Sequence, residues 1–65
     1  MSELLTIDEL AKFLKLSKRS CYELTRERVR ARQSVPVPMI RINGHARFVK
    51  SDVEAWIQKL REEVA

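Results

Sequence analysis

The stretch Thr6–Glu27, TIDELAKFLKLSKRSCYELTRE, decides the fold. Thr6-Ile7-Asp8-Glu9 reads as a capping box, in which the Thr6 hydroxyl accepts from the Glu9 amide and the Glu9 carboxylate accepts from the Thr6 amide. Ile7, Leu10, Ala11 and Leu14 follow at i, i+3, i+4 and i+7, one face of a helix. A first helix is therefore predicted from Ile7 to Leu14, with Asp8 and Glu9 at the positive end of its dipole. Lys15-Leu16 leaves room only for a tight turn. Ser17 is a natural N-cap for a second helix beginning at Lys18. Helical spacing puts Cys21 and Leu24 on one side of it and Arg19, Tyr22, Glu23 and Arg26 on the other, with the regular helix ending near Glu27. Two short helices joined by so short a turn form a helix-turn-helix.

Outward from this core, residues Arg28 to Val37 lack apolar periodicity, carry Arg28, Arg30 and Arg32, and end among Pro36 and Pro38. They read as a basic, partly mobile loop. Met39 to Val49 reads as a β-hairpin around Asn43-Gly44. A loop of odd length, three residues with Gly44 left-handed, would put Ile40, Ile42, Ala46 and Phe48 on one face and Met39, Arg41, His45 and Arg47 on the other. A two-residue turn would mix apolar and charged groups on each face, so the odd loop is expected. Ser51-Asp52-Val53-Glu54 reads as a second capping box. Val53, Trp56, Ile57 and Leu60, extended by Val64, then mark a final helix from about Asp52 to Glu63. These elements predict a single α+β domain over residues 1–65, mainly helical. Its expected form is a winged helix-turn-helix with two short helices, a hairpin wing and a C-terminal packing helix.

Charge is distributed unevenly over these elements. Ten of the thirteen Lys and Arg lie between Lys15 and Lys50, against only Glu23 and Glu27, a local charge of +8. Residues 1–14 and 51–65 each carry −2, which leaves +4 for the chain. Such separation, with a pI near 9.7, indicates a polyanion-binding face on a folded support, with nucleic acid ahead of a membrane as the partner. A chain of 65 residues buries only ~60% of its unfolded surface, so its core is small. One cysteine and one histidine give neither an internal disulfide nor a structural zinc site. Met1-Ser2-Glu3 does not read as a signal peptide, and no apolar run spans a bilayer, so a reducing cytoplasm is the expected compartment. There is no nucleophile–base pair, no paired carboxylates and only one glycine. An enzyme is therefore not expected, and no cofactor or metal is implied.

The candidate function follows from groove geometry. The duplex major groove admits an α-helix. On the second helix, Arg19 and Arg26 can fork onto guanine, Ser17, Lys18, Ser20 and Tyr22 can reach backbone or base edges, and Glu23 can accept from cytosine. Arg28, Arg30, Arg32 and Lys50 suit phosphates, which set position without reading sequence. The wing would offer Arg41, Asn43, Gly44, His45 and Arg47 to the minor groove or the backbone. Plainer readings stand beside these. Arg19 and Glu23 form an i,i+4 ion pair on a solvated face, Tyr22 is half-buried support, and His45 is a turn residue. Cys21 and Trp56 belong to the core.

Leu4-Leu5-Thr6-Ile7-Asp8-Glu9-Leu10-Ala11 with Leu16-Ser17 resembles the opening of the MerR-like, excisionase-type DNA-binding domains. Pro38-x-Ile40-Arg41-Ile42-x-Gly44, Arg47-Phe48 and Asp52-Val53-Glu54-Ala55-Trp56 are similar to the rest of that pattern, which extends from Leu4 to Leu60. Three departures stand out. Lys15 replaces the usual glycine after the first helix, Ser20-Cys21 replaces a threonine and a β-branched residue, and the Arg28–Val37 connection is longer and lacks its glycine. The resemblance implies a non-catalytic bacteriophage or integrated-element excisionase, a recombination directionality factor. Such a protein binds and bends attachment-site DNA in a bacterial host, at the nucleoid. It directs a tyrosine-type integrase toward excision. Separately, a domain this small offers limited specificity, so cooperative side-by-side binding is the expected remedy, with the acidic final helix and the basic loop as candidate surfaces for head-to-tail self-association on DNA. The alternatives are a small phage-type transcriptional regulator with the same domain and, from another class, a basic protein-interaction module.

Overall fold

A computed structural model describes residues 3–64, without the side chain of Val64. Met1 and Ser2 of the chain start and the place of the Val64 side chain on the apolar stripe fall outside those residues. The chain runs β1 (Leu4–Leu5), α1 (Ile7–Leu14), α2 (Lys18–Thr25), α3 (Glu27–Arg32), β2 (Ile40–Ile42), β3 (His45–Val49) and α4 (Lys50–Val64). The fold is α+β, mainly helical, and is a winged helix-turn-helix.

α1 starts where its capping box places it. Thr6 Oγ1 accepts from the Glu9 amide at 3.2 Å, and Glu9 Oε1 accepts from the Thr6 amide at 2.9 Å. It ends at Lys15, whose φ of 58° and ψ of 42° are left-handed. The Lys15 amide donates to the Lys12 carbonyl at 3.3 Å and the Leu16 amide to the Ala11 carbonyl at 3.0 Å, a Schellman ending. A lysine thus takes the conformation that favours glycine, which shows why the missing glycine does not prevent the turn. Ser17 then caps α2, its Oγ accepting from the Ser20 amide at 3.1 Å.

α2 ends at Thr25, two residues short of the expected limit, because Arg26 is extended (φ −69°, ψ 135°). The expected loop over Arg28–Val37 needs a larger correction. Its first part is a helix, α3, nucleated by the Arg30 amide bonding back to the Arg26 carbonyl at 2.9 Å. Glu27 in its first turn and Arg30 and Arg32 in its last suit the helix dipole. None of its residues is buried, and Val29 and Ala31 do not repeat at helical spacing, so periodicity could not reveal α3. Two side-chain donors hold carbonyls of the remainder. The Trp56 indole Nε1–H donates to the Val35 carbonyl at 2.8 Å, and the Arg30 guanidinium donates to the Val37 carbonyl.

The sheet is antiparallel in the order β1-β3-β2. Its register corrects the predicted hairpin. Ile42 pairs with His45, Arg41 with Ala46 and Ile40 with Arg47, so the loop is the two residues Asn43-Gly44. Both have positive φ, 51° and 81°, as a type I′ turn demands. The odd loop fails because Ile40 and Ile42 are not the residues that fill the core. Val37 and Phe48 are fully buried, and Met39 and Ala46 pack against the core. Arg41 shares their parity close to the turn, opposite Ala46. β1, which carried no signal in the sequence, covers the other edge of β3, with Leu5 opposite Phe48. α4 begins at Lys50, not Asp52, so Ser51 lies inside its first turn. The Lys50 amide donates to the Glu3 carbonyl at 2.8 Å, which satisfies a helix-start donor.

The core joins Leu5, Leu10, Ala11, Cys21, Val37, Phe48, Val53 and Trp56. Burial pushes the Cys21 thiol pKa up, which keeps it a neutral core group. Two stability predictions follow, both read by urea unfolding. Trp56→Phe keeps one aromatic ring but loses the donor to Val35 and part of the buried indole, and should cost about 2 kcal/mol; an unchanged midpoint would mean that the indole bond does not hold the loop. Lys15→Gly should stabilise the chain by about 1 kcal/mol, the cost of a left-handed non-glycine residue; destabilisation would contradict the left-handed ending of α1.

Candidate nucleic-acid interface

α2 is presented by packing on one side only. Cys21 is fully buried against the core and Leu24 packs beside it, whereas Ser17, Lys18, Arg19, Ser20, Tyr22, Glu23 and Arg26 are all exposed. The buried stripe fixes the helix, and the opposite face is free to meet a ligand. Ser17 and Ser20 are engaged with each other at the cap, the Ser17 hydroxyl donating to Ser20 Oγ at 3.0 Å. The Thr25 hydroxyl donates to the Tyr22 carbonyl at 2.7 Å and closes the last turn.

The charges on this face are paired loosely. Lys18 Nζ lies 3.1 Å from Asp8 of α1 and 5.9 Å from the centre of the Tyr22 ring. The hydrogen bond and charge of Asp8, then the Tyr22 hydroxyl, push the Lys18 pKa up, so the ammonium stays charged through neutral pH. Arg26 meets Glu23 at 3.6 Å, which replaces the expected Arg19–Glu23 pair. Both pairs are largely exposed, and pairs of that kind contribute little and exchange readily for another anion. Among the described residues Arg19 has no ion-pair partner. It is the cation on α2 most available to a ligand.

The remaining cations divide by environment. Arg28 and Arg32 are exposed on α3 and separated by four residues, so they stand on one side of it. Arg30 is half-buried and bound to the Val37 carbonyl, which gives it a structural role that its place in a basic run does not reveal. At the wing, Arg41, Asn43, Gly44 and His45 are exposed. Arg47 is half-buried, and its guanidinium donates to the Ala46 carbonyl at 2.7 Å. Lys50 is held by Glu3 at 3.8 Å and lies 5.6 Å from the centre of the Phe13 ring, which ties it to the scaffold. No acid occurs between Arg28 and Lys50.

An apolar cleft of about 400 Å³ lies among Leu16, Leu24, Val35, Trp56 and Leu60. Its lining is hydrocarbon apart from Gln33, Ser34 and Glu63, with Ser34 donating to Glu63 at 2.9 Å. It therefore offers no set of reacting groups. Among the described residues, no helix is long and apolar enough to cross a membrane.

The site is thus a solvent-facing helix with a cationic surface, set by a short turn against a supporting helix, in a domain that also carries a basic hairpin. Among curated proteins and among solved structures, none matches the chain. Residues 4–61 match a family model described as a helix-turn-helix domain. That match takes in α1, the turn, α2, the hairpin and most of α4, and the chain belongs to this helix-turn-helix family.

Proposed function

We propose that the protein is a sequence-specific, double-stranded DNA-binding architectural protein of the excisionase type. The observation that carries the reading is the exposed outer face of α2, with Lys18, Arg19, Tyr22, Glu23 and Arg26 on a helix-turn-helix. In this reading α2 enters the major groove. Arg19 forks onto guanine, and Arg26 exchanges Glu23 for a base edge or a phosphate. Arg28 and Arg32 extend the phosphate contact, with Arg30 keeping the loop in place behind them. The wing, with Arg41, Asn43, Gly44, His45 and Arg47, follows the neighbouring backbone or minor groove.

The finer role rests on the resemblance of the motif order to excisionase-type domains. A single domain of this size reads few base pairs. Bound side by side near an attachment site, several copies would gain affinity through multivalency and bend the duplex. Acidic α4 and the basic α3 loop are the surfaces available for head-to-tail contact, which builds filaments rather than closed dimers. The bent site would then favour excision by a tyrosine-type integrase.

Titrating a duplex at increasing salt tests the DNA reading. Affinity should fall by ~0.9 log units per phosphate contact per log unit of salt. A flat response would remove DNA as the ligand and leave a protein-interaction module. Arg19→Ala should weaken cognate duplex by ~1–3 kcal/mol and random duplex less; equal losses would make Arg19 a phosphate contact. For the finer role, footprints at an attachment site with stimulated excision are expected. Attachment-site binding without any effect on excision would favour a transcriptional regulator.

A further inference from the structure

The hairpin register leaves two isoleucines in solvent. Ile40 and Ile42 stand on the outward face of β2, 43% and 45% exposed. β2 is an edge strand, so no neighbouring strand covers that side. Directly across the ladder, Ile40 faces Arg47 and Ile42 faces His45. The outward face is therefore two β-branched apolar side chains alternating with two nitrogen-bearing ones. The bond from Arg47 to the Ala46 carbonyl keeps its guanidinium close to the strand. Half-exposed apolar side chains on an uncovered edge also invite unwanted strand pairing, so this composition carries a cost to the free protein.

We propose that this face seats on the sugar–phosphate wall of duplex DNA, with Ile40 and Ile42 against deoxyribose and Arg47 and His45 against the phosphates beside it. The inference rests on the proposed DNA binding and adds an apolar contact to it. Charge complementarity selects the occupant. No acid lies anywhere from Arg28 to Lys50, and the hairpin itself carries Arg41 and Arg47. A nucleic-acid backbone presents apolar sugar between anionic groups, the same alternation that the wing presents. Sugar and phosphate contacts of this kind fix the register of a protein on its duplex.

The chain has four isoleucines, Ile7, Ile40, Ile42 and Ile57, and their δ1 methyl signals provide the test without any substitution. On titrating the intact protein with a mixed-sequence duplex that holds one copy, the Ile40 and Ile42 methyls should shift and saturate together with the α2 amides. Ile7 and Ile57 should stay in place. In parallel, Ile40→Thr/Ile42→Thr should bind roughly tenfold more weakly with an unchanged salt slope, since no phosphate contact is lost. Unmoved Ile40 and Ile42 methyls alongside shifting α2 amides would overturn this inference and leave the proposed function standing. No response anywhere would overturn the proposed function and this inference with it. Isoleucine shifts that appear on concentrating the protein alone, and do not change with DNA, would assign the face to a second copy of the chain and overturn the inference.

Discussion

Parity in the hairpin governs what this protein buries and what it displays. Asn43 and Gly44, both at positive φ, close a two-residue turn, and that turn allows one pairing of β2 with β3. From it follow Phe48 and Val37 in the core, Leu5 of β1 opposite Phe48, and Ile40, Ile42, His45 and Arg47 facing out. A one-residue slip would send Phe48 to solvent. It would also strip the core of its largest fully buried side chain. The helices depend on the same sheet, since α1 and α4 both pack on β3.

Against that sheet, the helix-turn-helix is set by local chemistry. The Thr6–Glu9 box starts α1, left-handed Lys15 ends it, and Ser17 starts α2 two residues later. With so short a connection the relative placement of α1 and α2 has little freedom, and burial of Cys21 and Leu24 fixes the rotation of α2. Lys18 and Arg26 on the outer side of α2 are held by exposed ion pairs, Asp8–Lys18 and Glu23–Arg26. Pairs of that kind hold side chains near useful positions and release them at little cost. Rigid backbone with exchangeable side chains suits recognition of a charged polymer.

Where local signals and tertiary packing agree, the sequence was legible. α1 has its predicted bounds because capping box and apolar stripe coincide, and α2 has its predicted start at Ser17. The hairpin lies where Asn43-Gly44 marks it, but its loop length does not follow from counting apolar residues. Ile40 and Ile42 look like core, while Val37, flanked by Pro36 and Pro38, looks like loop; packing reverses both. Asn-Gly is itself a strong type I′ signal, and weighting it above face parity recovers the true register. α3 escaped notice because Val29 and Ala31 are its only apolar residues and none of its residues is buried, and β1 because two residues carry no period. In the candidate site, the exposed face of α2 was legible from helical spacing. Arg30 was not, since its bond to the Val37 carbonyl arises from a chain reversal that no local pattern encodes.

The account places a DNA-binding surface on α2 and the wing, and a supporting role on α1 and α4. Mapping backbone amide shifts of the intact protein on adding duplex DNA tests that division most directly. Changes concentrated over residues 17–26 and 40–47, with the exposed acidic side of α4 unaffected, are the predicted result. Changes centred on α4, or none at any DNA concentration, would contradict it.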